Sequence, residues 1–429
     1  MKLFKIHYMS KDTVYQLHSL IEKNIRRSYT GGAVDVYIPH NRKNSFLEVV
    51  PDFNKLFYYD VNSLYPSRMA NYTIPVGKPI TFEGDIRQVE PNAFGFFYCK
   101  IDSPYNIEHP ILQRRIKTSE GLRTIAGLGY WEGWIFSKEM DNAMKLGYKF
   151  EILKGYQFEE GNIFEVYIND LYKLRLEYPK GDPMNMIAKL LMNSLYGKFG
   201  MKDEMTKLEI LNNKSELDKE IISTKLEYYK NNLIDMVELE DHIIIVSKQL
   251  ADLKYNQKEE IFHGSEVNIA IASAITAYAR IHMSNFKNNP NFNLYYSDTD
   301  SVVIDKALSD NMVGNKLGQV KLEYTISKAV FLAPKVYGLI TEDGKEIIKA
   351  KGLTKETIKN INVSDLELLL KIDSNKIFKQ EKAYKYLFNS EYLILDTAYT
   401  LKATSNKRQL IYLNGIFNST KPFNYEEIT

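Results

Sequence analysis

Tyr296-Ser-Asp-Thr-Asp-Ser301 is the stretch around which the 429-residue chain is organised. Phe292-Asn-Leu-Tyr-Tyr296 before it and Ser301-Val-Val-Ile304 after it are rich in aromatic and β-branched side chains, the composition of strands. The four polar residues between predict a tight turn, which puts Asp298 and Asp300 at the tip of a β-hairpin. Two carboxylates held so close raise each other's pKa unless a cation lies between them or one stays protonated. A hard, oxygen-seeking ion such as Mg²⁺ meets that need; a merely solvated turn is the other reading of these six residues.

A third acid stands at an element boundary. In Leu56-Phe-Tyr-Tyr-Asp60-Val-Asn-Ser63-Leu-Tyr65-Pro66 the composition changes from strand to helix at the aspartate. Ser63 is the expected N-cap and Pro66 fits the first helical turn. With capping assigned to Ser63, Asp60 is left for chemistry.

A helical pair is predicted between the two acidic stretches. Phe164, Tyr167, Ile168, Leu171 and Leu174 recur at helical spacing, Tyr178-Pro-Lys-Gly-Asp-Pro183 makes a turn, and Asp182 with Pro183 starts a second helix. A short connection makes the two antiparallel. On the second helix Lys189, Asn193, Tyr196 and Gly197 share one stripe, with Ile187, Leu191 and Leu195 on another. A lysine, an amide, a ring and a glycine in one line suit a triphosphate and a stacked base; they suit a solvated face as well. Arg175 on the first helix offers a second cation.

Composition sets bounds. With 44% hydrophobic and 26% charged residues the chain can bury more than one core, and its length predicts two or three core-forming units or one domain with large insertions. A net charge of +2 requires any polyanion-binding surface to be local. One cysteine, Cys99, excludes an internal disulfide and a cysteine-rich zinc site, and the seven histidines lack metal-ligand spacing. No apolar run approaches a membrane span, and no membrane partner is expected.

The remaining stretches are read for organisation. Residues 1–28 are mildly basic, with Arg26-Arg27 leading into Tyr29-Thr-Gly-Gly32, where paired glycines allow close backbone approach. Residues 80–160 predict an α+β insertion, with a strand at Ala93–Ile101, a turn-rich piece at Gly127–Trp134, a helix at Lys138–Lys145 and a strand at Tyr148–Ile152. The run 201–262, without Gly or Pro and rich in Lys and Glu, predicts long helices or an insertion. Glu266–Phe286 predicts a core helix leading into the acidic hairpin. Ala333-Pro-Lys335-Val-Tyr337 predicts Lys335 and Tyr337 on one face of a strand, followed by Lys345, Lys349 and Lys351, a spacing that suits a nucleic-acid backbone. The tail from about 360 is expected to be helical, with a basic segment from Lys402 to Arg408.

Asp60-Val-Asn-Ser-Leu-Tyr-Pro66, Lys189-Leu-Leu-Met-Asn-Ser-Leu-Tyr-Gly197, Tyr296-Ser-Asp-Thr-Asp-Ser301 and Lys335-Val-Tyr337 resemble, in order and approximate spacing, the polymerase motifs of family B DNA polymerases. With Tyr29-Thr-Gly-Gly32 they look like the protein-primed branch, found in certain bacteriophages and in linear plasmids of fungal mitochondria. The resemblance spans about residues 25–360. It implies an α+β fold: a palm with helical fingers, branch-specific insertions and a C-terminal thumb. The corresponding division is an exonuclease-junction segment at 1–50, palm at 51–79 and 263–355, insertions at 80–160 and 201–262, fingers at 161–200, and thumb and tail at 356–429.

By the same resemblance Asp60, the Val61 carbonyl and Asp300 hold two Mg²⁺ ions, with Mn²⁺ as a substitute, and Asp298 is an auxiliary catalytic acid. Lys189 and Arg175 face the incoming triphosphate, beside Asn193 on the nucleotide-binding stripe. Tyr196 lies near the nascent base pair, and Tyr65 stands where it would clash with a ribose 2′-hydroxyl. Tyr29, Gly31, Gly32, Lys335 and Tyr337 contact DNA. The implied partners are primer-template DNA, dNTPs, a terminal protein as primer and an exonuclease-bearing chain. The last follows because only 28 residues precede Tyr29, without an Asp-x-Glu pair, so proofreading on this chain is not expected. The expected setting is the mitochondrion, or else the cytoplasm of a phage-infected host. The competing expectation is a non-catalytic DNA-binding remnant or subunit of a split polymerase.

Overall fold

The structure is a computed structural model, and it describes residues 2–9, 13–17, 19–43, 53–118, 121–201, 205–230, 232–238, 241–249, 268–386 and 391–428. At its centre lies a seven-stranded antiparallel sheet in the spatial order Val34–Val36, Leu294–Asp298, Ser301–Ile304, Leu56–Val61, Val320–Ala333, Val336–Thr341, Glu346–Ala350. Strands far apart in sequence thus lie side by side: Leu56–Val61 is flanked by Ser301–Ile304 and by Val320–Ala333.

Strand alternation gives the sheet two different faces. Tyr59 and Val61 pack with Ala279, Met283 and Phe286 on one side. Leu56 and Tyr58 point the other way, into a cluster with Tyr296, Phe331 and Tyr337. Asp60 shares the parity of Tyr58 and lies beyond it, at the open end of that face.

The helix Ile269–Ser284 fills the predicted core position, with every residue from Ile269 to Arg280 buried. It is apolar all round because it has neighbours all round. Met192, Leu195 and Phe199 of the helix Pro183–Phe199 pack on it from one side, and Phe96, Phe136 and Tyr156 of a second sheet from another. That four-stranded sheet is made of Ile74–Glu83, Lys149–Gly161, Gly95–Asp102 and Tyr130–Phe136. The predicted helix at 138–145 is present as Ser137–Met144. Gly127–Trp134 is less turn-rich than expected, because Trp131 and Trp134 are core residues of the strand beginning at Tyr130.

Four further expectations are corrected. The described part of 201–262 is a three-stranded sheet, Met205–Asn212, Leu233–Glu238 and His242–Gln249, carrying the helix Glu216–Tyr229. Its Lys and Glu content suggested helix, but Ile243-Ile-Ile-Val246 is β-branched, and Ile243 and Ile245 pack in the small core with Ile222 and Tyr229. Residues 250–262 of that expectation lie outside the described residues. The tail is mostly β: Lys376–Tyr386 pairs with Glu391–Leu401, and Gln409–Leu413 with Ile416–Lys421. Asn414-Gly415 turns the second hairpin with φ of 50° and 77°, the signature of a two-residue β-turn.

The predicted helical pair is present as Glu165–Glu177 and Pro183–Phe199, with Asp182 accepting a bond from Met184 N–H as N-cap. Its buried stripe is Ala188, Met192, Leu195 and Phe199, while Ile187 is exposed and Leu191 half-buried. Finally, Ser63 makes no side-chain cap for the helix Leu64–Asn71; it sits at φ 52°, and its hydroxyl is taken by Arg175.

Candidate active site

The site is built by register. Asp60 lies opposite Ser301 across one strand pair and opposite Lys321 across the other. Val61 N–H donates to the Asp300 carbonyl at 2.8 Å, locking the hairpin tip to the end of the neighbouring strand. The turn is tighter than expected: strands run to Asp298 and resume at Ser301, leaving Thr299-Asp300 between. Thr299 sits at φ 54°, rare for a β-branched residue. Its N–H donates to the Ala33 carbonyl at 2.9 Å, which pins the tip to the segment after Gly32.

The three acids divide into a pair and a single. Burial first, then Asp300 and then Glu323 push Asp60 up to about 7, against the pull of Lys321 and Lys189. Burial also raises Asp300, with Asp298 adding to it and Lys335 and Lys189 opposing. Asp298 is instead claimed by Lys335, whose Nζ reaches both carboxylate oxygens at 2.6 and 2.8 Å. Tyr296 supports this corner. Its hydroxyl accepts from Lys335 N–H and lies 3.4 Å from Asp298, and its ring stacks on Phe331. Among the described residues no three or more His, Cys, Asp or Glu side chains converge as a metal cluster. Two half-buried carboxylates that disfavour their own charge, next to the Val61 backbone, nevertheless form a donor set suited to a hard divalent cation.

Across the open face stand the other candidates. The exposed Lys189 is near enough to lower the pKa of both Asp60 and Asp300. Arg175 donates to Ser63 at 3.1 Å, just beyond Asp60 and Val61. Tyr65 and Tyr196 stack with centroids 4.5 Å apart and planes 21° from parallel, a two-ring wall beside the acids. Asn193 donates to the Lys189 carbonyl within its own helix.

Gly32 packs on the acidic tip, and Tyr29 lies near the Tyr65 and Tyr196 rings. A Cβ on Gly32 would stand 2.8 Å from Thr299 Cα, whereas one on Gly31 would meet nothing within 4 Å. Tyr29 packs against Gly200 at the end of the lysine-bearing helix. Lys335 and Tyr337 do not share a strand face. Lys335, at φ 64°, is in the turn between strands, and Tyr337 is buried against Tyr296 and Phe331. The turn leaves Lys335 exposed and facing Asp298, and strand parity sends Tyr337 inward.

Sequence reasoning passed over Arg280. It is buried, forms a bidentate pair with buried Glu139 at 2.7 and 2.8 Å, and donates to the Thr30 carbonyl at 2.6 Å. It therefore holds the segment that braces the acidic tip. A single arginine within an apolar helix was the available signal. The Lys321 and Glu323 pair beside Asp60 had no signal before the strand register was known.

Residues 1–292 match the family model for DNA polymerase type B, organellar and viral. The chain belongs to the organellar and viral type B DNA polymerases. A probable DNA polymerase of Neurospora intermedia is 37% identical to this chain over 368 residues, covering 82% of this chain and 35% of the relative. One from Ascobolus immersus is 34% identical over 420 residues, covering 96% and 32%. The DNA polymerase of Streptococcus phage Cp-1 is 25% identical, covering 80% and 56%. The chain thus spans about a third of the length of these two fungal relatives. The fold is that of Phi29 DNA polymerase in its complex with primer-template DNA and incoming nucleotide: TM-score 0.63 at 20% identity, over 94% of this chain and 66% of the other.

Proposed function

We propose that this chain carries the polymerising centre of a template-directed DNA polymerase that replicates a linear element by protein priming. The observation that carries the reading is the Asp60 and Asp300 pair, brought together by strands that are adjacent in the sheet but about 240 residues apart in sequence, and faced by Lys189. Asp60, Asp300 and the Val61 carbonyl would hold two divalent cations, Mg²⁺ or in its place Mn²⁺. When bound, such ions stabilise the attacking 3′-hydroxyl and the departing pyrophosphate of an in-line displacement.

The chain's own residues bind and orient. Lys189 and Arg175 meet the triphosphate of a dNTP, with Asn193 on the same helix as Lys189. Tyr196, backed by Tyr65, gives the nascent base pair a flat wall, and the Tyr65 ring crowds a ribose 2′-hydroxyl. Asp298, held by Lys335, keeps the hairpin tip rigid rather than joining the ion pair. Lys335 and the Tyr29–Gly32 segment flank the tip where primer-template DNA would pass, and Tyr337 supports them from the core. A terminal protein supplies the priming hydroxyl. The organellar and viral membership favours a mitochondrion, or the cytoplasm of a phage-infected host, as the setting.

The test is primer extension by the purified chain with Mg²⁺ and dNTPs, beside Asp60→Asn and Asp300→Asn. Template-dependent extension lost in both variants is the expected result. Extension that survives either substitution, or DNA binding without any extension by the unmodified chain, would overturn the reading.

A further inference from the structure

A groove of about 430 Å³ lies between the helix Ser19–Arg26 with its following turn and the first insertion, away from the acids. Its walls carry six cationic side chains, Lys23, Arg26, Arg27, Arg114, Arg115 and Arg280, against Glu132 and Glu139. That surplus of four is concentrated in one place on a chain whose total is +2. Arg26 is committed to Glu22 and Arg280 to Glu139; Lys23 and Arg27 line one wall, and Arg114, over the Tyr425 ring at 5.4 Å, and Arg115, bonded to the Tyr29 carbonyl, line the other. Tyr98, backed by Trp134 at 5.5 Å, lies between them.

Cations spread over two walls with an aromatic ring between them match a phosphate chain with bases, rather than one phosphate. The groove also has a direction. Arg115 donates to the Tyr29 carbonyl at 2.7 Å, Thr30 lines the groove, and two residues later Gly32 packs on Thr299 between the two hairpin acids. The segment that edges the groove therefore runs on to brace the acidic tip.

We propose that this groove gathers single-stranded DNA on its way to the acids, and that the strand is the template ahead of the primer terminus. Lys23, Arg27, Arg114 and Arg115 contact its phosphates, and Tyr98 stacks on a base. The assignment of the strand as template rests on the polymerase reading; the groove's affinity for single strands does not.

The test is fluorescence anisotropy of the full chain, in chelator and without nucleotides, on three labelled duplexes: blunt, with a 5′ overhang of about twelve nucleotides, and with a 3′ overhang of the same length, a span one strand-binding module can cover. The chain should bind the 5′-overhang duplex more tightly than the blunt one. In the double variant Lys23→Gln with Arg27→Gln that increment should collapse. The plot of log affinity against log salt for the 5′-overhang duplex should become shallower by about 1.4, two phosphate contacts at roughly 0.7 each. The charge-retaining pair Lys23→Arg with Arg27→Lys should keep the increment, which a purely structural role for these side chains does not require. An increment and slope unchanged in the Gln variant would overturn the groove, and an equal increment from the 3′ overhang would overturn the template assignment. Because binding is read without metal or dNTPs, failure of the polymerase reading shows separately, in primer extension.

Discussion

Gly32→Ala tests whether the Tyr29–Gly32 segment positions the acids. The added methyl would lie 2.8 Å from both Cα and Cγ2 of Thr299, and one of the two contacts is backbone, so a rotamer change cannot relieve it. The hairpin tip must move by several tenths of an ångström. Thr299 N–H is bonded to the Ala33 carbonyl and the Asp300 carbonyl to Val61 N–H, so displacement at Thr299 reaches Asp300 directly. Overpacking of this kind costs about 1–3 kcal/mol. Misplacing a reacting group by about 1 Å costs roughly a hundredfold in rate, so a smaller shift here should cost about tenfold in kcat. Gly31→Ala is the stability control, since its Cβ meets nothing within 4 Å, and it should stay within about 0.5 kcal/mol of the parent. Denaturant unfolding gives the stabilities, and single-turnover extension at saturating DNA gives the rate. Adding Thr299→Gly to Gly32→Ala removes Cγ2 and relaxes the strained turn, so part of both losses should return. If Gly32→Ala unfolds at the same denaturant concentration as Gly31→Ala and extends at the parent rate, the bracing argument is wrong.

Three further outcomes are expected. Arg280→Met strands the buried Glu139 carboxylate and should cost about 3–5 kcal/mol by denaturant unfolding; Arg280→Met with Glu139→Met should be far closer to the parent, because replacing both ends of a buried pair is often neutral. Asp60→Asn removes like-charge repulsion beside Asp300 and should raise metal-free stability by up to about 1 kcal/mol; in calorimetry Mg²⁺ should raise the Tm of the parent and leave that of Asp60→Asn unchanged. Burial first, and neighbouring Arg and Lys side chains next, hold His109 down to about 3; burial and then Arg68 hold His282 down to about 4. Below about pH 6.5 the unfolded chain takes up protons that these folded-state histidines refuse, so stability falls as pH drops from 6.5 toward 4, by at most about 1.4 kcal/mol per pH unit for each. His282→Gln should flatten that slope in denaturant titrations between pH 7 and 5.

Local chemistry was legible in the sequence wherever neighbours in the chain are also neighbours in space. The acidic hairpin, the Asp182-Pro183 helix start, the apolar helix ahead of the hairpin and the strand-to-helix switch at Asp60 each follow from residues a few positions apart. Two errors had local signals that were outweighed: Asn414-Gly415 marked a hairpin in a tail read as helical, and Ile243-Ile-Ile-Val246 marked a strand within a run rich in Lys and Glu. The buried stripe of the Pro183–Phe199 helix was misread by one position, because Ala188 and Met192 outline a face less sharply than Ile187 and Leu191 do.

What only the tertiary structure decided is the pairing of charges over long distances. Asp60 and Asp300 become a pair through strand register, Asp298 leaves that pair because a turn at φ 64° aims Lys335 at it, and Ser63 gives up its capping role to a guanidinium 112 residues away. Arg280 and Glu139, 141 residues apart, meet only because two sheets close on one helix. Side-chain type and local spacing, which the sequence records, determined which chemistry is available. Which charges neutralise one another depends on distances that the fold alone creates, because Coulomb energy and burial are set by neighbours in space.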